Sequence, residues 1–137
     1  FIAQRVLARR HFGVSHADLL DHADDRRAGG GGDRIAHTAL GQREGGGIKY
    51  GRIFKPDEAL QGFSVDVVDM DSIAGPHHTH PLGEIDLIMP QDDTATFDGH
   101  GAGWLVYRPG TAHPPTVAHG RALVLYLLPE GRIEFTR

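Results

Sequence analysis

From Ile48 to the C-terminus the chain is written in two-residue alternation, and this constrains it more than any other feature. Ile48–Phe54, Phe63–Met70, Ile85–Met89, Trp104–Tyr107, Ala122–Leu128 and Arg132–Phe135 are short runs rich in Val, Ile, Leu, Tyr or Phe. Between them stand clusters of turn residues, among them Lys55-Pro56-Asp57, Asp98-Gly99-His100-Gly101 and Pro129-Glu130-Gly131. Side chains alternate faces along a strand, and Gly, Pro and Asp punctuate strands, so each run reads as one strand. Ala122–Leu128 is apolar throughout, which suits a strand covered on both faces. Many short strands at this spacing make a β-sandwich or barrel. A chain of 137 residues has room for one such domain with a real core and not for two.

Ahead of Gly45-Gly46-Gly47 the grammar differs. Ile2, Val6 and Leu7 share a helical face, with Gly13 as a stop. Ser15 and Asp18 fit the capping pattern S-x-x-D, and Leu19 and Leu20 follow with an apolar stripe. Gly29–Gly32 has neither the preceding strand nor the following Lys-Ser/Thr of a phosphate loop, so it reads as a linker. Asp33–Leu40 adds one more short helix. The expected organisation is a helical segment over 1–45, with its Gly-rich linker, and a β domain over 46–137.

Composition narrows the chemistry. There is no cysteine, so disulfides and thiolate ligands are excluded and a metal must be held by His, carboxylate or water. A formal charge of −4 with scattered Lys and Arg argues against a nucleic-acid partner. No apolar run approaches the roughly 20 residues of a membrane span. Phe1-Ile2-Ala3-Gln4-Arg5 lacks the basic-then-apolar order of a secretory signal, and without a Met it implies residues ahead of Phe1. A cytoplasmic location is expected.

Gly75–Asp86, G-P-H-H-T-H-P-L-G-E-I-D, holds three histidines and two carboxylates. On a strand His78 and His80 project together, spaced for two imidazoles to bind one cation. Pro81 and Gly83 break that strand, and Glu84 and Asp86, again two apart, share a face. Pro109-Gly110-Thr111-Ala112-His113 places another histidine just after a tight turn, able to close the same site from a neighbouring strand.

H-x-H-x3-E followed by a later P-G-x2-H resembles the two motifs of the cupin superfamily, a small β-barrel of jelly-roll type. The first motif, G-x5-H-x-H-x3/4-E-x6-G, is matched at His78, His80 and Glu84, while Ser72 and Gln91 stand at its glycines. The second, G-x5-P-x-G-x2-H-x3-N, is matched at Gly103, Pro109 and His113 with one residue dropped between Pro and Gly. Val117 replaces its final Asn. The resemblance implies a mainly β, cupin-type barrel in which His78, His80, Glu84 and His113 ligate a divalent metal. Fe, Mn, Ni or Zn suits those donors.

Ile48–Ile53, Gly75–Asp86, Phe97-Asp98-Gly99-His100 and Ala122–Pro129 together resemble a narrower group, the 4-hydroxylaminobenzoate lyase family. The likeness spans about residues 46–137, with 1–45 similar only in character. It implies conversion of 4-hydroxylaminobenzoate to protocatechuate and ammonia, which is redox-neutral and consumes one water. Hydroxide leaves nitrogen, water adds to the neighbouring ring carbon, and a ring imine hydrolyses; every step moves a proton. Glu84 and Asp86 are then the candidate acid and base, with burial and mutual repulsion raising at least one pKa. A small aromatic carboxylate substrate calls for a cation, and Arg52, Arg108 and Lys49 are available. Arg52 is the first choice, and Arg52, Arg108 and Tyr50 are the expected substrate-binding residues. Cupins often pair, so a homodimer is a further expectation.

Each residue also has a plainer reading. His77 points away by strand alternation and reads as a solvated turn residue. Asp86 could orient a ligand histidine or bond a backbone group. His100 reads as a loop residue, Arg52 and Arg108 as exposed strand-end charges, and Trp104 and Tyr107 as core. His11, His16, His22, His37 and His119 read as surface. The same ligands also suit a cupin dioxygenase or isomerase, or a non-catalytic cupin that binds a small molecule. A second buried carboxylate beside the ligands separates proton-transfer chemistry from mere binding.

Overall fold

A computed structural model of the protein describes residues 43–45 and 47–136. The expected helices and glycine linker ahead of Arg43 lie outside the described residues. Eleven strands are described, numbered in chain order: β1 Arg43–Gly45, β2 Ile48–Phe54, β3 Phe63–Asp71, β4 His78–His80, β5 Glu84–Pro90, β6 Thr96–Phe97, β7 Gly103–Tyr107, β8 Thr111–His113, β9 Val117–Ala118, β10 Arg121–Pro129 and β11 Glu134–Phe135. The sheet thus begins at Arg43, three residues ahead of the expected domain start.

Six strands form one antiparallel sheet in the order β1-β2-β3-β10-β5-β7. A three-stranded sheet, β11-β4-β8, and the pair β6-β9 complete the fold. The all-apolar run Ala122–Leu128 lies in β10, between β3 and β5. Its Ala122, Val124, Tyr126 and Leu128 join one apolar cluster with Val68, Met70, Ile88, Phe97 and Val117. Leu125 and Leu127 join a second cluster with Val65, Val67, Leu87 and Met89. Each such aliphatic side chain contributes about 1.5–3 kcal/mol when fully buried. Both faces of this strand are therefore held by apolar burial, as its composition requires.

Alternation decides what the large sheet shows to the interior. Arg52 of β2 pairs with Asp66 of β3, Asp66 with Tyr126 of β10, and Tyr126 with Asp86 of β5. These four residues form one inward row across the sheet. A register shift between Arg52 and Phe54 turns both Ile53 and Phe54 to the second cluster and leaves Arg52 as the last inward residue of β2.

The turn between β4 and β5 brings histidines and carboxylates together. Gly83 has φ +87°, and a Cβ there would stand 2.9 Å from the Tyr107 carbonyl oxygen. Only glycine meets both conditions without displacing β7. Its N–H bonds the His80 carbonyl at 3.2 Å, closing the turn. Among the described residues, no helix is long and apolar enough to cross a membrane.

Candidate metal centre and adjoining cavity

β4 and β8 pair with His78 opposite His113 and His80 opposite Thr111. That register puts three imidazoles at one end of the interior. Gly83 delivers Glu84 from β5 to the same point. One ligand atom from each of His78, His80, Glu84 and His113 lies within 4.8 Å of all the others. His78, His80 and Glu84 are buried, none more than 2% exposed.

The ring nitrogens can be assigned from their partners. His78 Nδ1 meets the Pro76 carbonyl at 3.0 Å, which can only accept, so Nδ1 carries the proton. The Thr111 hydroxyl donates to the Arg108 carbonyl at 2.7 Å and so accepts from His80 Nδ1 at 3.0 Å. His113 Nδ1 donates to the Asp98 carboxylate. All three outer nitrogens are donors, so in neutral rings all three Nε2 atoms present lone pairs inward. Burial, the largest cause, lowers the pKa of both His78 and His80 to about 4, which keeps these rings neutral near pH 7.

Two lone pairs therefore face each other across 2.9 Å between His78 Nε2 and His80 Nε2. Glu84 Oε2 adds a carboxylate oxygen 3.4 Å from His80 Nε2. His113 Nε2 and both Glu84 oxygens are buried without a protein partner. Two lone pairs this close, with no proton between them, are what a shared cation would satisfy. The donor set thus fits a divalent cation, and the Nδ1 bonds are the orienting contacts such ligands need.

Asp86 stands beside this cluster on the same face of β5. It is fully buried, and apart from a hydrogen bond shared with the Glu84 carboxyl no protein group meets its carboxylate oxygens. Burial, and then the neighbouring Glu84 charge, raise its pKa well above the ordinary carboxylate value. Burial likewise raises Glu84, to about 7. Two carboxyl groups this close in a dry interior do not both ionise near neutrality.

Asp98 was not singled out by sequence, and Tyr107 was expected only to pack the core. Asp98 Oδ2 accepts from both His113 Nδ1 and the Tyr107 hydroxyl, and its Oδ1 accepts from the Thr116 N–H at 2.8 Å. Burial alone would raise Asp98, but bonds from His113, Tyr107 and Thr116 outweigh it, and its pKa falls. Tyr107 does pack against the core, yet its ring also tilts on His113 with centroids 4.5 Å apart. Trp104 packs against the second apolar cluster as expected. The one local signal at Asp98 is its place before Gly99 in a turn, where it adopts a left-handed φ of 47°.

A cavity of about 670 Å³ adjoins the cluster at His78. Its wall is mostly apolar, from Ile48, Val68, Met70, Leu128, Ile133 and Phe135, with Tyr50, Arg52, Asp66 and Tyr126 as its polar members. Arg52 Nε and Nη2 grip Asp66 at 2.7 and 3.1 Å, and Nη2 also donates to the Gly131 carbonyl at 3.2 Å. Arg108 is exposed and does not line the cavity. His77 is exposed and bonds Thr136, and His100 is exposed in its turn. Both match their plainer readings.

Known proteins bear on this geometry. The family model for 4-hydroxylaminobenzoate lyase (PnbB) matches residues 26–135. A 4-hydroxylaminobenzoate lyase of Nocardioides sp. (strain LMS-CY) is 34% identical over 99 residues, covering 67% of this chain and 59% of that protein. One from Pseudomonas putida is 33% identical over 99 residues, covering 61% of this chain and 56% of its own. The chain thus spans under three fifths of the length of these curated relatives. In structure it is similar to an RmlC-like cupin protein from Ralstonia eutropha JMP134, with a TM-score of 0.54, 13% identity and coverage of 72% of this chain and 66% of that one. That likeness, together with the strand content, establishes a mainly β fold of cupin type. The match over residues 26–135 goes further, and the chain belongs to the 4-hydroxylaminobenzoate lyase family.

Proposed function

We propose that this protein is a metal-assisted lyase converting a 4-hydroxylaminobenzoate-type substrate to the corresponding catechol and ammonia. One observation carries the reading. A cluster of three inward imidazoles and a carboxylate lies beside a second buried carboxyl, Asp86, whose one protein partner is the Glu84 carboxyl itself. A module that only bound a ligand would have no use for that second group.

His78, His80, Glu84 and His113 are assigned as the ligands of a divalent metal, with Fe, Mn, Ni and Zn all suited to the donor set. Bound there, the metal would activate water or polarise the hydroxylamino oxygen. With Glu84 committed to the cluster, proton movement falls to Asp86. Its protonated form delivers a proton to the departing hydroxide, which leaves as water. The resulting carboxylate takes a proton from the water that adds to the ring carbon. Hydrolysis of the ring imine then consumes a further water and frees ammonia, so the sum is one water in and one ammonia out.

The cavity supplies the aromatic site. Its apolar wall takes the ring, and Arg52 and Tyr50 are placed at the carboxylate end. Asp66 balances the Arg52 charge, so Arg52 acts through its remaining Nη1 donors more than through net attraction. Arg108, outside the cavity wall, takes no part in this assignment.

The test is incubation with 4-hydroxylaminobenzoate while ammonia and catechol are followed, with and without chelator. Equimolar ammonia and protocatechuate, formed without oxygen and abolished by chelator, is the expected result. A product that requires oxygen would instead support dioxygenase chemistry and sink this reading.

A further inference from the structure

Tyr126 is 5% exposed, and its hydroxyl is buried with no hydrogen-bond partner in the protein. A core tyrosine in that position costs more than a phenylalanine would, since a buried hydroxyl left unbonded loses its hydration for nothing. Tyr126 nevertheless sits in the middle of β10, in a run otherwise built of Ala, Leu and Val between its terminal Arg121 and Pro129. Its ring is held against Phe97, with centroids 6.1 Å apart. The side chain lines the cavity.

Its place in the inward row limits what the hydroxyl can meet. Asp86 is directly across on β5, and Asp66 directly across on β3. Arg52 lies one strand beyond Asp66. Two strand spacings, ~10 Å, separate the backbone columns of Arg52 and Tyr126, and the Arg52 guanidinium reaches over to Asp66 in the column between, the neighbour of Tyr126. A substrate with its carboxylate at Arg52 brings its para substituent to Tyr126, next to Asp86. A phenol is protonated near neutrality, and burial raises its pKa further, so it offers a donor there.

We propose that the Tyr126 hydroxyl is the specificity group of this site, donating a hydrogen bond to the oxygen of the substrate's N-hydroxyl and so distinguishing an arylhydroxylamine from the arylamine. The assignment rests on the lyase reading above and adds to it the residue that reads the nitrogen substituent. A hydroxyl buried for this purpose favours the substrate that bonds it and gives the amine nothing in return.

The experiment compares the metal-loaded parent with Tyr126→Phe, using 4-hydroxylaminobenzoate as substrate and 4-aminobenzoate as competitive inhibitor. In Tyr126→Phe, kcat/KM for the hydroxylamine is expected to fall at least about tenfold, the size of one hydrogen bond. The inhibition constant of 4-aminobenzoate should change less than about twofold, because that ligand has no oxygen on its nitrogen to bond. Metal content should hold, and the thermal midpoint should stay equal or rise, since the lost hydroxyl had no partner. Equal losses for both ligands would make Tyr126 a wall and overturn the proposal, as would no loss for either. If the parent does not turn over the hydroxylamine at all, the lyase reading fails first. Calorimetric binding to the parent then decides the inference separately, and equal affinity for the two ligands overturns it.

Discussion

The two sheets furnish the site in opposite ways. From the small sheet, β4 and β8 present three histidines whose outer nitrogens are each bonded, to Pro76, Thr111 and Asp98. From the large sheet, β5 and β10 present Glu84, Asp86 and Tyr126; the two carboxyls have only each other and the nearby His80 ring, and the Tyr126 hydroxyl has no protein partner. Buried polar groups in ordinary cores are almost always bonded. The contrast therefore separates jobs. The histidine side is wired in advance, because ligands must converge on one point. The carboxylate side is left open, because its bonds are to be made with what enters and changed as protons move.

Breaking the wired side should have the largest effect. His80→Ala removes one of the three converging lone pairs and leaves the other ligands in place. Metal bound after purification should fall below stoichiometric, and turnover should drop to the level of the chelated parent. Full metal and full activity in this variant would end the metal mechanism. On the open side, Asp86→Asn keeps shape and burial but cannot carry the proton. Its kcat should fall about 10²–10⁴-fold, the usual worth of a positioned acid or base, while metal content stays at the parent's value. Turnover as fast as the parent's would remove Asp86 from the chemistry.

This division also explains what could be read from the chain alone. His78, His80 and Glu84 are close in sequence: alternation puts the two histidines on one face of β4, and the Gly83 turn brings Glu84 of β5 to them from the other sheet. His113 was found because a turn and a histidine stood at a recognisable distance. Asp98 was missed because its value depends on two partners, Tyr107 and His113, that only the barrel's closure brings to it. Tyr126 was missed for the opposite reason: its neighbours in sequence are apolar, and nothing local says that its side chain lines a cavity. Five of the strands were legible from their apolar runs, and the sixth run, Arg132–Phe135, narrows to the two residues Glu134–Phe135 of β11. The two-residue pair β6 and β9 was not legible, because strands that short carry no period.

Glu84→Gln sharpens the comparison from the stability side, in metal-stripped protein. In the folded chain Glu84 has its pKa raised to about 7 from the ordinary 4.5, mainly by burial. A raised carboxyl contributes its full stability below the unfolded value and loses it as pH rises through the folded one. The parent without metal should therefore lose up to about 3 kcal/mol between pH 4.5 and pH 8 from this group. Glu84→Gln has no charge to bury and should escape that loss. Its denaturant midpoint should exceed the parent's at pH 8 and match it near pH 4.5, while its metal affinity falls. A midpoint no higher than the parent's at pH 8 would mean that the carboxylate is not strained by its surroundings.

Asp98→Asn tests the wiring itself with the mildest change. Asp98 touches no candidate ligand atom that faces the centre; it holds His113 through Nδ1 and is in turn held by Tyr107 and the Thr116 N–H. The amide keeps the size of the carboxylate but removes its charge and offers one acceptor where there were two. His113 is then oriented less firmly and is a poorer donor at Nε2. Losses of this kind lower metal affinity about 10–100-fold. At limiting metal the variant should be weakly active, and excess metal should restore turnover close to the parent's, because Asp86 and the cavity wall are untouched. Recovery on adding metal would place Asp98 among the groups that position a ligand. A kcat deficit that persists at saturating metal would instead place it in the proton path, and the wired half of the site would have to be drawn wider than the three histidines.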